Sequence, residues 1–147
     1  MSIRERRPES ITNPVEEKQM EVKGKVFRGE DFLKINNPNP GQAYRLDILT
    51  DKEGAKNLGG LFGIRPVPVP GEKPALHFHQ NRESIIVILT GEGEELLDGE
   101  VIPVKAGDVI YIRPLAKHVL VNKGQTEMKF IEFFTHPPVR SDFIEVK

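Results

Sequence analysis

Apolar residues in this chain fall in short runs separated by glycine, proline and small polar residues, with no long stretch of 3.6-residue periodicity. The runs cover residues 43–49, 61–68, 75–79, 85–89, 101–104, 109–112, 118–121 and 128–134, and they are rich in Val, Ile, Leu and Phe. Such residues suit a pleated, half-buried surface, so the pattern predicts strands. Gly91-Glu-Gly93 and Asp98-Gly99-Glu100 read as tight turns, the second carrying the Asp-Gly pair favoured in hairpins. Eight or more short strands joined by such turns predict an all-β fold, an antiparallel sandwich or barrel. Ile85 to Leu89 is apolar at every position, and a run of that kind needs cover on both faces. One face is expected to look into the barrel, the other to meet an N-terminal arm or a partner subunit in a homodimer. The acids of Glu92 to Asp98 read as a solvated hairpin.

Residues 1–40 have a different texture, with eight basic and seven acidic residues ending in the turn-rich Asn36-Asn-Pro-Asn-Pro-Gly41. They are expected to form an arm, with an extra strand over Met20 to Phe27 and one helical turn over Glu30 to Lys34, leaving 41–147 as the barrel. No helix-turn-helix pattern is visible in the arm. Across the chain 21 basic residues offset 22 acidic ones, so net charge advertises neither a nucleic-acid nor a membrane-surface partner. There is no cysteine, hence no disulfide and no thiolate ligand, which suits the cytoplasm. The first residues have no apolar stretch of signal-peptide type, and no segment is apolar over a membrane-spanning length.

Candidate chemistry concentrates in the histidines. His77 and His79 project to the same side of an extended segment because side chains alternate along a strand. Glu83 follows four residues later, and His118 lies in a second Gly-led strand; of four histidines, three fall in this group. Imidazoles and a carboxylate converging on one point suit a divalent transition metal, Fe, Mn, Ni, Co, Cu or Zn, one per chain. No Ser-His-Asp arrangement and no phosphate-binding loop competes with that reading.

The spacing of these residues resembles the cupin family. The first cupin motif, Gly-x5-His-x-His-x3or4-Glu-x6-Gly, is matched by Gly71, His77, His79, Glu83 and Gly91, and the second, Gly-x5-Pro-x-Gly-x2-His-x3-Asn, by Gly107, His118 and Asn122. There are departures. Counting back from Gly91 puts Ser84 rather than Glu83 at the acid position, and Arg113 and Leu115 stand where the second motif has Pro and Gly. Glu83 is the preferred ligand, since a carboxylate offsets the charge of the ion and a serine hydroxyl does not. The resemblance implies a double-stranded β-helix, or jelly-roll, barrel of two antiparallel sheets with His77, His79, Glu83 and His118 around a metal inside it. It further implies a metal-dependent enzyme acting on a small oxygen-rich or anionic molecule, of dioxygenase, isomerase or lyase type. A non-catalytic binding or sensing module, and a metal-free sugar-related isomerase or epimerase, are the alternatives. Arg65, Arg82, Arg113 and Lys117 could supply cations at the cavity mouth, and Leu120 and Asn122 share the face of His118.

Overall fold

The computed structural model describes residues 23–147. Ten strands are present among them: β1 (Tyr44–Leu49), β2 (Leu58–Arg65), β3 (His77–Phe78), β4 (Ser84–Thr90), β5 (Glu92–Leu97), β6 (Glu100–Lys105), β7 (Val109–Ile112), β8 (His118–Asn122), β9 (Met128–Thr135) and β10 (Ile144–Glu145). They build two five-stranded sheets, ordered β1-β2-β9-β4-β7 and β10-β3-β8-β5-β6. All the pairings are antiparallel. This is the expected all-β sandwich closing into a barrel.

One segment departs from expectation. The acids of 92–98 lie on the expected hairpin, β5 with β6, and Glu92 and Asp98 are exposed, but β5 also pairs with β8 and Glu95 is buried rather than solvated. The reversal is confined to Asp98 and Gly99, which join Leu97 to its partner Glu100 with φ of 46° and 86°. Positive φ at both central residues is what a two-residue hairpin turn of matching twist requires.

Alternation sorts each strand into an inward and an outward face. Leu61, Ile86, Ile88, Ile110, Ile112, Leu120, Met128, Phe130 and Phe134 fill the space between the sheets. Each such burial contributes roughly 1.5–3 kcal/mol. On the outer face of β1, β2 and β9, Ile48, Phe62 and Ile64 form a second cluster with Phe32 of helix α1 (Gly29–Leu33), closed by Phe27, Ile35, Leu89 and Phe133. A five-residue helix has no stability of its own. It is held by the Phe32 ring, stacked on Phe62 at 5.6 Å, and by Lys129 Nζ, which donates to the Leu33 carbonyl at 2.8 Å. The helical turn is thus present where it was expected. Lys23 to Arg28 carry no regular structure, and residues 20–22 of the expected extra strand lie outside the described residues.

The all-apolar run of β4 is covered on its inner face throughout, and on its outer face by the Phe32 cluster at Leu89. Further along, Ile85 remains 45% exposed beside its cross-strand partner Tyr111, itself 54% exposed. No described helix is long and apolar enough to cross a membrane.

Candidate metal centre

Three histidines meet at one end of the barrel. His77 on β3 lies directly across from His118 on β8, and His79 follows β3 by one residue. Their ring centroids are 4.3–5.2 Å apart, and one ring nitrogen from each lies within 4.8 Å of the others. All three are no more than 9% exposed.

The orientation of each ring is fixed from behind. His77 Nδ1 bonds the Ala75 carbonyl and His118 Nδ1 the Ala116 carbonyl, both at 2.9 Å, while His79 Nδ1 bonds the carbonyl of Asp142. A carbonyl only accepts, so each Nδ1 carries the hydrogen and each Nε2 presents a lone pair. That is the arrangement of metal-binding imidazoles whose second nitrogen is anchored. Burial pushes His77 and His118 down to about pKa 4, and it lowers His79 as well, so all three are neutral near pH 7. Neutral imidazoles with free Nε2 atoms fit a divalent transition metal without further rearrangement of protons.

Glu83 does not join them, which corrects the expected ligand set. Its side chain is exposed on the outer face of the sheet, where it accepts from the Tyr111 hydroxyl at 2.7 Å. The cause lies in the loop between β3 and β4. The Asp142 carboxylate accepts the backbone N–H groups of Gln80, Asn81 and Arg82 at 2.7–3.0 Å. The Arg82 side chain turns inward, 2% exposed, and donates to the carbonyls of Thr135, His136, Pro138 and Val139. Ser84 therefore enters β4 facing the interior, 1% exposed and opposite Phe134 and Ile112. A register that places Ser84 inward turns Glu83 outward, because successive side chains point to opposite faces.

The other expected contacts divide. Arg65, Leu120 and Asn122 line a cavity of about 370 Å³ between β8 and the loop of Glu72 to Ala75 that leads into His77. Arg65 lies close enough to His77 and His118 to oppose their protonation. Asn122 is structural as well, its amide donating to the carbonyls of Arg65 and Thr126. Arg113 and Lys117 are exposed and line no part of the cavity; Arg113 is paired with Asp98 at 2.8 Å. Arg82, bound to four carbonyls, is not a cation at the cavity mouth either.

Sequence reasoning missed the two interior acids. Glu95 on β5 is 1% exposed, and neither carboxyl oxygen has a hydrogen-bond partner. Burial, with Glu132 nearby, pushes its pKa up to about 8. Glu132 on β9 shares the inward face of Phe130 and Phe134, and burial raises its pKa too. The available signal was the Asp98-Gly99 turn, which fixes the register of β5 on β6 and with it the face of Glu95. Phe143, stacked on His77 at 4.6 Å, and Asp142 were also not singled out.

The comparisons agree with this geometry. Residues 68–134 match the family model for the cupin domain. The oxalate-binding protein of Thermotoga maritima is 32% identical over 111 residues, 74% of this chain and 91% of that protein. An uncharacterized conserved protein with a double-stranded β-helix domain from Klebsiella pneumoniae superposes with a TM-score of 0.63 at 21% identity, covering 85% of this chain and 99% of the other. A predicted oxalate decarboxylase from Thermotoga maritima superposes with a TM-score of 0.55 at 25% identity, covering 66% and 83%. With two facing antiparallel sheets and three histidines at the motif positions, the chain belongs to the cupin superfamily.

Proposed function

We propose that this cupin is a metal-dependent enzyme in which His77, His79 and His118 hold one divalent transition metal and a small oxygen-rich or anionic molecule binds beside it. The observation that carries the reading is the shared hydrogen-bond pattern of the three rings, each with Nδ1 tied to a backbone carbonyl and Nε2 free. A metal held by three imidazoles supplies Lewis acidity and open coordination positions for oxygen donors. Arg65, between the cavity and the histidines, gives an anionic ligand its charge partner. The oxalate-binding relative supports a small carboxylate as ligand. Purification without affinity-tag metals should yield about one divalent ion per chain, and changing His77 and His79 to Ala should remove it with the fold retained. Unchanged metal content in that double variant would overturn the reading.

The same reading takes the chain to act in the cytoplasm, as a barrel of 41–147 with an arm of 1–40, and as a homodimer. Ile85, Val109 and Tyr111 form an apolar patch on the outer face of β4 and β7 that is open among the described residues, and a second copy would cover it. Light scattering at micromolar concentration tests this; a strictly monomeric species counts against it.

A further inference from the structure

The inward face of β8 runs Asn122, Leu120, His118, and that of the adjacent β5 runs Gly93, Glu95, Leu97, with Glu95 paired to Leu120. The cavity reaches Asn122 and Leu120, and the metal centre begins at His118. Glu95 does not itself line the cavity, but its partner Leu120 does, one inward position along β8 from His118. From the facing sheet, Glu132 and Ser84 project inward on β9 and β4, two residue pairs apart in register. Both Glu95 oxygens are buried without a hydrogen-bond partner, whereas the buried Ser84 hydroxyl has the Glu132 carboxyl within hydrogen-bonding reach. Leaving a carboxyl group in that condition is costly. Arg65 is the cation that acts on Glu95, while Arg45, Arg82 and Arg65 all act on Glu132.

We propose that Glu95, flanked by Glu132 and Ser84, is a ligand subsite that accepts hydroxyl hydrogens, and that the molecule bound is a small hydroxycarboxylate rather than a bare dicarboxylate. The carboxylate end lies towards Arg65 and the metal, and a hydroxyl group satisfies the oxygens left open on Glu95. Glu95, whose carboxyl is mainly protonated at pH 7, presents one donor and one acceptor; a hydroxyl group meets both, a bare carboxylate only the donor. The inference rests on the metal reading for the position of the carboxylate end, and on the barrel interior alone for the hydroxyl subsite.

The test uses the metal-loaded full chain at pH 7 and constant ionic strength, with succinate and tartrate as probes in titration calorimetry. The two carry the same carboxylates, and only tartrate has hydroxyl groups. Tartrate should bind about tenfold more tightly, the worth of one or two well-placed hydrogen bonds. In Glu95→Leu, which leaves the three histidines and Arg65 in place, the ratio should fall to about twofold with metal content unchanged. Glu95→Gln, with one oxygen fewer and nearly the same volume, should also reduce it. Equal affinities in the unaltered protein, or a ratio preserved in both variants, overturns the subsite; the second outcome would mean that tartrate gains by chelating the metal. Metal content of the same samples separates the two readings. If the unaltered protein holds no metal, the metal reading fails, while the ratio and its response to Glu95→Leu still decide the subsite.

Discussion

The imidazole of His79 donates to the backbone carbonyl of Asp142, 63 residues further along the chain. The Asp142 carboxylate in turn holds the three backbone N–H groups that follow His79. One residue of the C-terminal segment therefore fixes both the ring and the loop that carries it. Asp142→Ala should cost about 1–2 kcal/mol of stability, by analogy with the loss of a side-chain cap. It should also weaken metal binding about 10-fold or more, as loss of an anchoring partner does. Chelator competition and urea unfolding on the same variant read the two effects.

Glu83→Gln should change metal affinity by less than about twofold, because the carboxylate bonds Tyr111 on the outer surface and a surface pair is worth about 1 kcal/mol or less. His118→Ala should abolish tight binding. A large loss in the Glu83 variant, measured by the same competition, would mean that the inward register of Ser84 does not hold in solution.

Stability of the metal-free protein should depend on pH from both sides. His77 and His118 resist protonation down to about pKa 4 because they are buried, whereas unfolded histidine titrates near 6.5. The unfolded chain thus takes up protons first, and stability is complete above about pH 6.5 and falls as pH drops through 4. Glu95 acts in the opposite sense. Its folded pKa is pushed up to about 8 by burial, so its contribution is present below the usual carboxylate range and is lost as pH rises through 8. Urea midpoints between pH 4 and 9 should show a maximum between these limits, and Glu95→Leu should reduce the fall on the alkaline side and steepen the acid side.

Leu115 occupies φ of 70°, a left-handed conformation, at the position where the second cupin motif has glycine. A non-glycine residue there costs about 1–2 kcal/mol, and glycine gives back roughly 0.5–1 kcal/mol through the entropy of the unfolded chain. Leu115 is 55% exposed and its N–H bond to the His79 carbonyl, 2.7 Å, is kept by any residue. Leu115→Gly should therefore stabilise by up to about 1 kcal/mol without altering metal affinity. A lowered denaturant midpoint would show that the leucine side chain contributes packing that outweighs the strain.

Much of this was readable in advance because it depends on local signals. Strand runs were marked by composition, the β5–β6 turn by Asp98-Gly99, and the histidines by an i, i+2 spacing that any strand converts into one face. Motif glycines Gly91 and Gly107 take φ of 92° and 93°, which explains their place at strand junctions. What could not be read was set by distant chain. Whether Glu83 or Ser84 faces inward depends on Arg82 and Asp142 binding across more than fifty residues. The interior placement of Glu132 was hidden by a β9 that is apolar on both faces, with Phe130 and Phe134 turned in and Phe133 turned out to the α1 cluster.

The two sheets divide the site between them. All three histidines ride on or next to β3 and β8 of one sheet, which also carries Glu95 on β5, whereas Arg65, Ser84 and Glu132 come from β2, β4 and β9 of the other. Substitutions in the second sheet can retune which molecule is accepted while the metal cage on the first is inherited unchanged. A lineage built on this barrel could thus explore new substrates by drift in one layer, without passing through a form that has lost its metal.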